Sequence, residues 1–243
     1  PHKSIPMLPR ELSENLCSLK EKEDRLSFVF KIKLHKKTLK PIKEELFEGI
    51  INVKKRYDYN EVDLFLEKSK KIDIKEIDEF LLPLFEVTKK LRKKRLERGF
   101  DFKNPDTRVI LDTDNNLVDV ETPSNSLIDE CMLLANCAAA KRVDKSIFRV
   151  HEEPDPKRIQ ELLDDLALIG VYAKKGDSFH AIVSSLQQDA QNRGIRDEVD
   201  RAIIRAQKQA FYSAKNLGHF GLGFDNYTHF TSPIRRYSDL LLH

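Results

Sequence analysis

The sequence is poor in cysteine, in glycine and in long apolar runs. Its three cysteines, Cys17, Cys131 and Cys137, are odd in number and lack CxxC spacing. That pattern argues against a disulfide framework or a zinc knuckle and indicates reduced thiols. The 8 glycines and 10 prolines among 243 residues argue against collagen-like and glycine-rich disordered chains. No run of about 18 apolar residues occurs, so we expect no transmembrane helix.

The first ten residues, "PHKSIPMLPR", lack the marks of a signal peptide, because no apolar segment follows the basic start. Together with reduced cysteines, this predicts a cytoplasmic protein. The segment also lacks an initiator methionine. We therefore expect residues 1–243 to be a portion of a longer chain.

Neither sign of charge is in large excess, since 43 basic and 40 acidic residues leave a net charge of +3 at pH 7. The charge is unevenly spread: from Arg201 to His243 there are six basic residues and two acidic ones. A basic segment of this kind fits an anionic partner such as RNA, and it also fits an ordinary solvated surface.

Periodicity predicts an α+β domain, mostly helical and packed on a small antiparallel sheet. "DRLSFVFKIKL" alternates as a strand does, "ELFEGIINVKKRYDY" is a second strand, and "TRVILDTDNNLVDVE" indicates two short strands around a turn. Helical spacing dominates from Asn60 onward, with Gly99 as the C-cap of the second helix and "RDEVDRAIIRAQKQAFYSAK" as one later helix. "SLIDECMLLANCAAAKRV" is apolar almost all round and is expected to be buried. Residues 1–20 are expected to form an extended loop.

A metal cluster is not evident. Asp112 and Asp114 fall in a predicted hairpin turn, and Asp164 and Asp165 fall on the solvated edge of an amphipathic helix. Neither set suits two-metal chemistry, which needs several carboxylates converging on the ions. Glycine-rich phosphate loops and serine or cysteine nucleophiles paired with histidine are also absent.

The segment "YTHFTSPIRRYSDLLLH" raises a question of charge. Ser232 followed by Pro233 predicts a helix start, which places Arg235 and Arg236 in the first turn. Cations are disfavoured there, so a bound phosphate would explain them by adding the missing negative charge. The alternative is that Arg235 pairs with Asp239 and Arg236 is solvated. His229 and Thr231, just before this helix start, are further candidate donors to the phosphate, and we also predict binding roles for Ser232, Arg236 and Tyr237. The alternative for an isolated histidine such as His229 is a structural role.

A polar stripe runs along the apolar helix that contains Asp129, Glu130 and Asn136. Asp129 and Asn136 are seven residues apart, so they lie within about 20° of each other around the helix axis. Glu130 points about 100° away. The alternative for Asp129 is a carboxylate that caps the helix N-terminus.

These segments together resemble the RNB-type exoribonucleases, the family of ribonuclease R and ribonuclease II. The resemblance rests on "GHFGLGFDNYTHFTSPIRRYSDLLLH", with "SIPMLPRELSENLCSLKEKEDRLSF", "RYDYNEV", "SLIDECMLLANCAAAKRV" and "FRVHEEPDPKRI" in the family's order. It is nearer to ribonuclease R. It implies a processive, Mg²⁺-dependent hydrolase that acts from the 3′ end of single-stranded RNA and releases 5′-nucleoside monophosphates. We expect no membrane association and no obligate protein partner.

The resemblance also implies roles for particular residues. Arg235 would be the catalytic arginine at the scissile phosphate, and Asp129 or Glu130 the acidic residue of the active site. Tyr59 matches a tyrosine near that site, and Phe102 matches an aromatic that stacks on the terminal bases. Asn136 is a further candidate for RNA binding.

The family's metal-binding aspartates lie upstream of the "IPMLP" segment, so we expect the Mg²⁺ ligands outside these residues. Residues 1–243 would then be the C-terminal portion of one catalytic domain and inactive by themselves. The rival hypotheses are a non-catalytic RNA-binding module of the same fold and a helical scaffold.

Overall fold

The computed structural model describes residues 5–66, 75–102, 110–111, 117–118, 123–143, 145–174 and 178–243. Within these ranges no helix is both long and apolar enough to cross a lipid bilayer. The predicted α+β class, with more helix than strand, is confirmed. The strands of the described residues are β1 (Asp24–Leu34), β2 (Pro41–Asn52), β3 (Ile110–Leu111), β4 (Leu117–Val118), β5 (Phe148–Val150) and β6 (Phe211–Ser213). The helices are α1 (Tyr59–Leu66), α2 (Lys75–Arg95), α3 (Pro123–Ala140), α4 (Pro156–Leu168), α5 (Phe179–Arg193), α6 (Arg196–Ala206) and α7 (Tyr237–Leu242).

The strands pair as three separate antiparallel ladders, β1 with β2, β3 with β4 and β5 with β6. The long β1–β2 hairpin runs in register from the Asp24–Asn52 pair to an irregularity at Lys33 and Leu34. Its alternating apolar side chains share one face, as period-two spacing requires. On that face Phe30 packs edge-on against Phe230, with ring centroids 5.2 Å apart. The hairpin is thereby joined to the segment that contains Arg235.

The main core lies between α4, α5 and α6. Their buried side chains form one apolar cluster, and Phe100 packs into it from the chain after α2. Helix α4 begins at a capped end, where the Asp155 side chain accepts from the Lys157 N–H and Pro156 takes the first helical position. Helix α5 has Ser178 as its N-cap and left-handed Gly194 as its C-cap. The buried side chains of the cluster are Leu162, Leu166, Val171, Val183, Leu186, Ala190, Val199, Ile203 and Ala206.

Helix α3 packs against both α1 and α2. Its last turn is fully buried, from Ala138 to Ala140, but Ile128 and Met132 are exposed. The expectation that the whole helix is buried is therefore wrong at these two positions, although Leu127 is buried. Part of the apolar surface of α3 is therefore left uncovered by the residues that the structure describes.

Two other predictions also fail. Residues Glu11–Leu16 form one wide, π-type helical turn where an extended loop was expected. The long C-terminal helix stops at Ala206, because Gln207 adopts an extended conformation with φ −78° and ψ 158°. The chain then forms β6, which pairs with β5, a strand that local periodicity does not reveal.

Gly99 does not cap α2 as predicted, since the helix ends at Arg95 and Gly99 does not adopt the left-handed conformation. A β-carbon at Gly99 would lie 2.6 Å from the carbonyl of Leu222, and one at Gly223 would lie 2.6 Å from the Gly99 nitrogen. The Phe100 N–H donates to the Gly221 carbonyl at 2.9 Å. The "GLG" loop is thus packed backbone to backbone against the end of α2.

Candidate active site

The two arginines of the "TSPIRRY" segment lie in a turn and not in a helix. We call residues 231–236 the arginine turn. The Ser232 carbonyl accepts from the N–H groups of Arg235 and Arg236, at 3.2 and 3.0 Å. Arg236 is then extended, with φ −131° and ψ 119°, and α7 begins only at Tyr237. The prediction of a helix that starts at Ser232 is therefore wrong, and phosphate binding by these residues stays a prediction.

Arg236 is held by a buried carboxylate. Its Nε and Nη2 atoms donate to Asp239 at 2.9 and 2.8 Å, in a two-pronged pair. Asp239 is completely buried and also accepts from the Ser232 N–H at 2.8 Å and from the Ser238 hydroxyl at 3.1 Å. The alternative in which Arg235 pairs with Asp239 and Arg236 is solvated is wrong. The extended backbone at Arg236 turns that side chain, and not its neighbour, toward the carboxylate.

Arg235 is exposed and differs from Arg236 in its partners. Its Nη2 contacts the Ser232 hydroxyl at 3.3 Å. Among the described residues, no carboxylate forms an ion pair with it. The guanidinium therefore keeps most of its five donors for an external anion.

Asn136 ties α3 to the arginine turn. Its Oδ1 accepts from the N–H groups of Phe230 and Thr231 at 3.0 and 3.2 Å. Its Nδ2 donates to the hydroxyl of Tyr227 at 3.2 Å. Asn136 is buried, with 3% of its surface exposed. The structure thus gives it partners within the protein, and its contact with RNA stays a prediction.

The two adjacent acids on α3 differ as sharply as the two arginines. Glu130 is buried and pairs with Arg95 of α2 through contacts of 2.7, 3.0 and 3.3 Å. Asp129 is exposed. Partial desolvation, followed by the charge of Glu130, raises the pKa of Asp129, while Arg92 and Arg95 oppose the shift. Helix α3 begins at Pro123, so Asp129 is in its second turn and does not cap it.

The carboxylates near Asp129 on α3 do not fit a divalent cation. Glu130 is neutralised by Arg95, and Asp101 forms an ion pair with Arg92. Within the described ranges, no three His, Cys, Asp or Glu side chains converge as metal ligands would. Asp164 and Asp165 are exposed on α4, as predicted. Asp112 and Asp114 lie outside the described residues.

His229 lies beside the arginine turn in a hydrogen-bonded chain. Its Nδ1 is 2.8 Å from the Tyr212 hydroxyl, which is 3.1 Å from the Ser238 hydroxyl. Desolvation and then the charge of Arg236 lower the pKa of His229 to about 4, so the ring is neutral at pH 7. A neutral imidazole can bind a hydroxyl group but adds no charge for phosphate.

The predicted aromatic residues lie on separate elements. Tyr59 begins α1, which packs on α3, and is half-buried. Phe102 is also half-buried and stacks on Phe100, with centroids 5.8 Å apart. Tyr237 is 63% exposed next to the arginine turn. RNA contacts by these residues, and by Thr231 and Ser232, stay predictions.

Sequence reasoning missed the residues that hold the site in place. Arg95 lies 35 residues before Glu130, and no local pattern connects them. Tyr212, whose ring lies under the Arg149 guanidinium at 4.9 Å, is reached only through the β5–β6 pairing. The Arg236–Asp239 spacing of three residues was the one local signal available.

Comparison with known proteins gives a consistent result. The family model described as "RNB domain" matches residues 1–243. Ribonuclease R of Helicobacter pylori strain ATCC 700392 / 26695 is 38% identical over 252 residues, covering 100% of this chain and 38% of that protein. Ribonuclease R of Thermotoga maritima is 36% identical over 253 residues, covering 98% of this chain and 35% of that protein. The chain therefore spans less than half the length of the curated relatives it matches.

Solved structures give the same fold. Mycoplasma genitalium RNase R in complex with ribose methylated single-stranded RNA matches 100% of this chain and 39% of its own, with a TM-score of 0.88 and 26% identity. Yeast Ssd1, described as a pseudonuclease, matches 99% of this chain and 31% of its own, with a TM-score of 0.74 and 19% identity. At that identity the second likeness concerns the fold alone.

Proposed function

The chain belongs to the RNB domain family, and on that premise we propose that it is part of a processive, hydrolytic 3′→5′ exoribonuclease of the ribonuclease R type. The observation that carries the proposal is the exposed guanidinium of Arg235, which has no carboxylate partner among the described residues and lies in a turn held from both sides. Mycoplasma genitalium RNase R, a structural relative, was solved with ribose methylated single-stranded RNA, and we propose single-stranded RNA as the substrate here.

Arg235 would stabilise the charge that develops on the scissile phosphate. A guanidinium presents forked donors to two phosphate oxygens, and it needs no reorganisation when its backbone is already fixed. Arg236 is less suited to this role, because two of its donors bind Asp239. Its pair with Asp239 helps to shape the turn.

Asp129, and not Glu130, would be the acidic residue that faces the substrate. Glu130 is buried against Arg95, so a ribose or a water molecule would have to displace a two-pronged ion pair to reach it. Asp129 is exposed and can accept hydrogen bonds from hydroxyl groups of the bound nucleotide. The raised pKa of Asp129 is consistent with a carboxyl group that is partly shielded from water.

Mg²⁺ dependence belongs to the proposal, but the carboxylates of the described residues do not fit the ion. We therefore place its ligands elsewhere in the protein and assign no step to it here. Residues 1–243 by themselves would form the C-terminal portion of one catalytic domain and would not cut RNA. A cytoplasmic location and independence from an obligate protein partner complete the proposal.

The test uses the full-length protein with Mg²⁺ and a single-stranded RNA labelled at its 5′ end. Wild-type protein should shorten the RNA progressively from the 3′ end and release nucleoside monophosphates. Arg235→Ala should lower kcat about 10²- to 10³-fold, the usual effect of losing one preorganised transition-state donor. RNA affinity should change little.

Arg201→Ala is the matched control, because Arg201 is an exposed arginine on α6. Equal turnover in the wild type and in Arg235→Ala would contradict the role of Arg235. RNA binding that weakens with salt, without any shortening of the RNA, would instead identify a non-catalytic RNA-binding module. Absence of RNA binding would favour a scaffold.

A further inference from the structure

Three consecutive backbone N–H groups lead into the arginine turn, and two side-chain oxygens bind all of them. Asn136 Oδ1 accepts from Phe230 and Thr231 at 3.0 and 3.2 Å, and Asp239 Oδ1 accepts from Ser232 at 2.8 Å. Asp239 follows the turn in the same segment. Asn136 reaches the turn from another element, so it fixes the turn relative to α3.

The amide of Asn136 has one favourable orientation. Its Nδ2 donates to the Tyr227 hydroxyl, and Tyr227 is itself buried at 5% exposure. The reversed amide would present an NH₂ group to two N–H donors, which would leave all of these donors without acceptors. Each polar atom of the side chain therefore has a partner that matches it.

Helix α3 carries Asp129 two turns before Asn136, at a rise of about 10 Å. The same helix thus bears the exposed acid and binds the backbone four and five residues before Arg235. Displacement of a catalytic group by about 1 Å can cost about 10²-fold in rate. A single amide that connects the two elements is well placed to control that distance.

We propose that Asn136 is a positioning residue for Arg235, and that it sets the placement of the guanidinium relative to Asp129 without touching RNA itself. The inference rests on the proposed exoribonuclease function of the same site. It assigns Asn136 an effect on kcat and not on substrate affinity.

The experiment compares Asn136→Ala and Asn136→Asp in the full-length protein on the same labelled RNA. Asn136→Ala should lower kcat about 10- to 100-fold and leave KM within about 2-fold, because Arg235 stays present but loses its fixed position. Asn136→Asp should restore most of the rate, since a carboxylate can accept from both N–H groups and from the Tyr227 hydroxyl. Tyr227→Phe, which leaves both N–H contacts in place, is the control and should stay within about 3-fold of wild type.

A double-variant cycle with Arg235→Ala decides whether Asn136 acts through the arginine. If it does, adding Asn136→Ala to Arg235→Ala should lower kcat by no more than about 2-fold further. The same fold-loss in both backgrounds, a rise in KM at constant kcat, or a failure of Asn136→Asp to restore the rate would overturn the inference. If Asn136→Ala does not fold, Asn136→Ser takes its place in the cycle.

The two proposals fail in different ways. A wild-type protein that does not shorten RNA overturns the proposed function, and the role of Asn136 with it. An active wild type that is unaffected by Asn136→Ala overturns the positioning role alone.

Discussion

The first half of α3 and the arginine turn each contain two adjacent side chains of like charge. On α3, Glu130 is buried against Arg95 and Asp129 is exposed. In the turn, Arg236 is paired with buried Asp239 and Arg235 is exposed. In both places one member of the pair is neutralised inside the protein, and the other remains available to a ligand.

The two regions reach this result by different means. On α3 the helix itself separates the neighbours, because successive side chains point about 100° apart. In the turn the separation depends on one extended residue, Arg236, and on the buried carboxylate that holds it. The division on α3 follows from regular secondary structure, whereas the division in the turn depends on a few specific hydrogen bonds. Substitutions should therefore separate stability from activity in both regions.

The largest effect is expected on the α3 side. Glu130→Ala leaves the charge of Arg95, whose side chain is only 10% exposed, without a partner, so it should lower the free energy of unfolding by about 3 kcal/mol or more. Asp129→Asn, at the exposed neighbour, should change it by less than about 0.5 kcal/mol. Urea unfolding of the full-length protein measures both, and a double variant, Arg95→Met with Glu130→Leu, should lose less than Glu130→Ala. Equal losses at positions 129 and 130 would refute the division on α3.

A smaller effect is expected in the arginine turn. Arg236→Ala removes the partner of Asp239, which keeps its bonds to Ser232 and Ser238, so the loss should be about 2 kcal/mol. Arg235→Ala should leave stability within about 0.5 kcal/mol of wild type. The same unfolding measurement applies. We expect Arg236→Ala to lose stability and Arg235→Ala to lose most of its turnover, which would separate the two roles.

The smallest expected effect is on the pH dependence of stability, through His229 beside the arginine turn. The pKa of His229 is lowered to about 4 in the folded protein, against about 6.5 in the unfolded chain. The unfolded state therefore binds more protons between these values, and stability falls as the pH drops from about 6.5 toward 4. His229→Asn should make this fall shallower. Half-buried His219, with a pKa lowered to about 3, should leave part of the slope in that variant.

Unfolding curves at pH 7, 5.5 and 4.5 measure the slope for wild type and His229→Asn. Identical slopes would show that His229 is not held neutral by its surroundings.

Local sequence patterns predicted those strands and helices whose side-chain spacing repeats regularly. The alternation in β1 and the spacing in α3 identified both elements, because side-chain period follows directly from backbone geometry. The same reasoning placed a helix start at Ser232, where the cap and the proline fit. It failed because Arg236 is extended, with its guanidinium paired to buried Asp239, so that the helix begins only at Tyr237. A specific side-chain contact therefore outweighed the local preference.

For the candidate site, the sequence identified individual residues but not the partners that hold them. The resemblance pointed to Arg235 and to two possible acids, but the choice between Asp129 and Glu130 depends on Arg95, which is 35 residues away. The placement of Asn136 against Phe230 and Thr231 spans more than 90 residues. Spacing along one helix gives the direction of a side chain but not the partner it meets.

The contact between Gly99 and the "GLG" loop has a consequence for how related sequences can diverge. Neither Gly99 nor Gly223 has room for a β-carbon, and the obstacle at each is backbone that no rotamer change can move. Substitution at one position cannot be compensated by a smaller residue at the other, because both are already glycine. An alignment of functional relatives should therefore show two invariant columns with no covariation between them, so that methods based on correlated substitutions would miss one of the closest contacts in the fold.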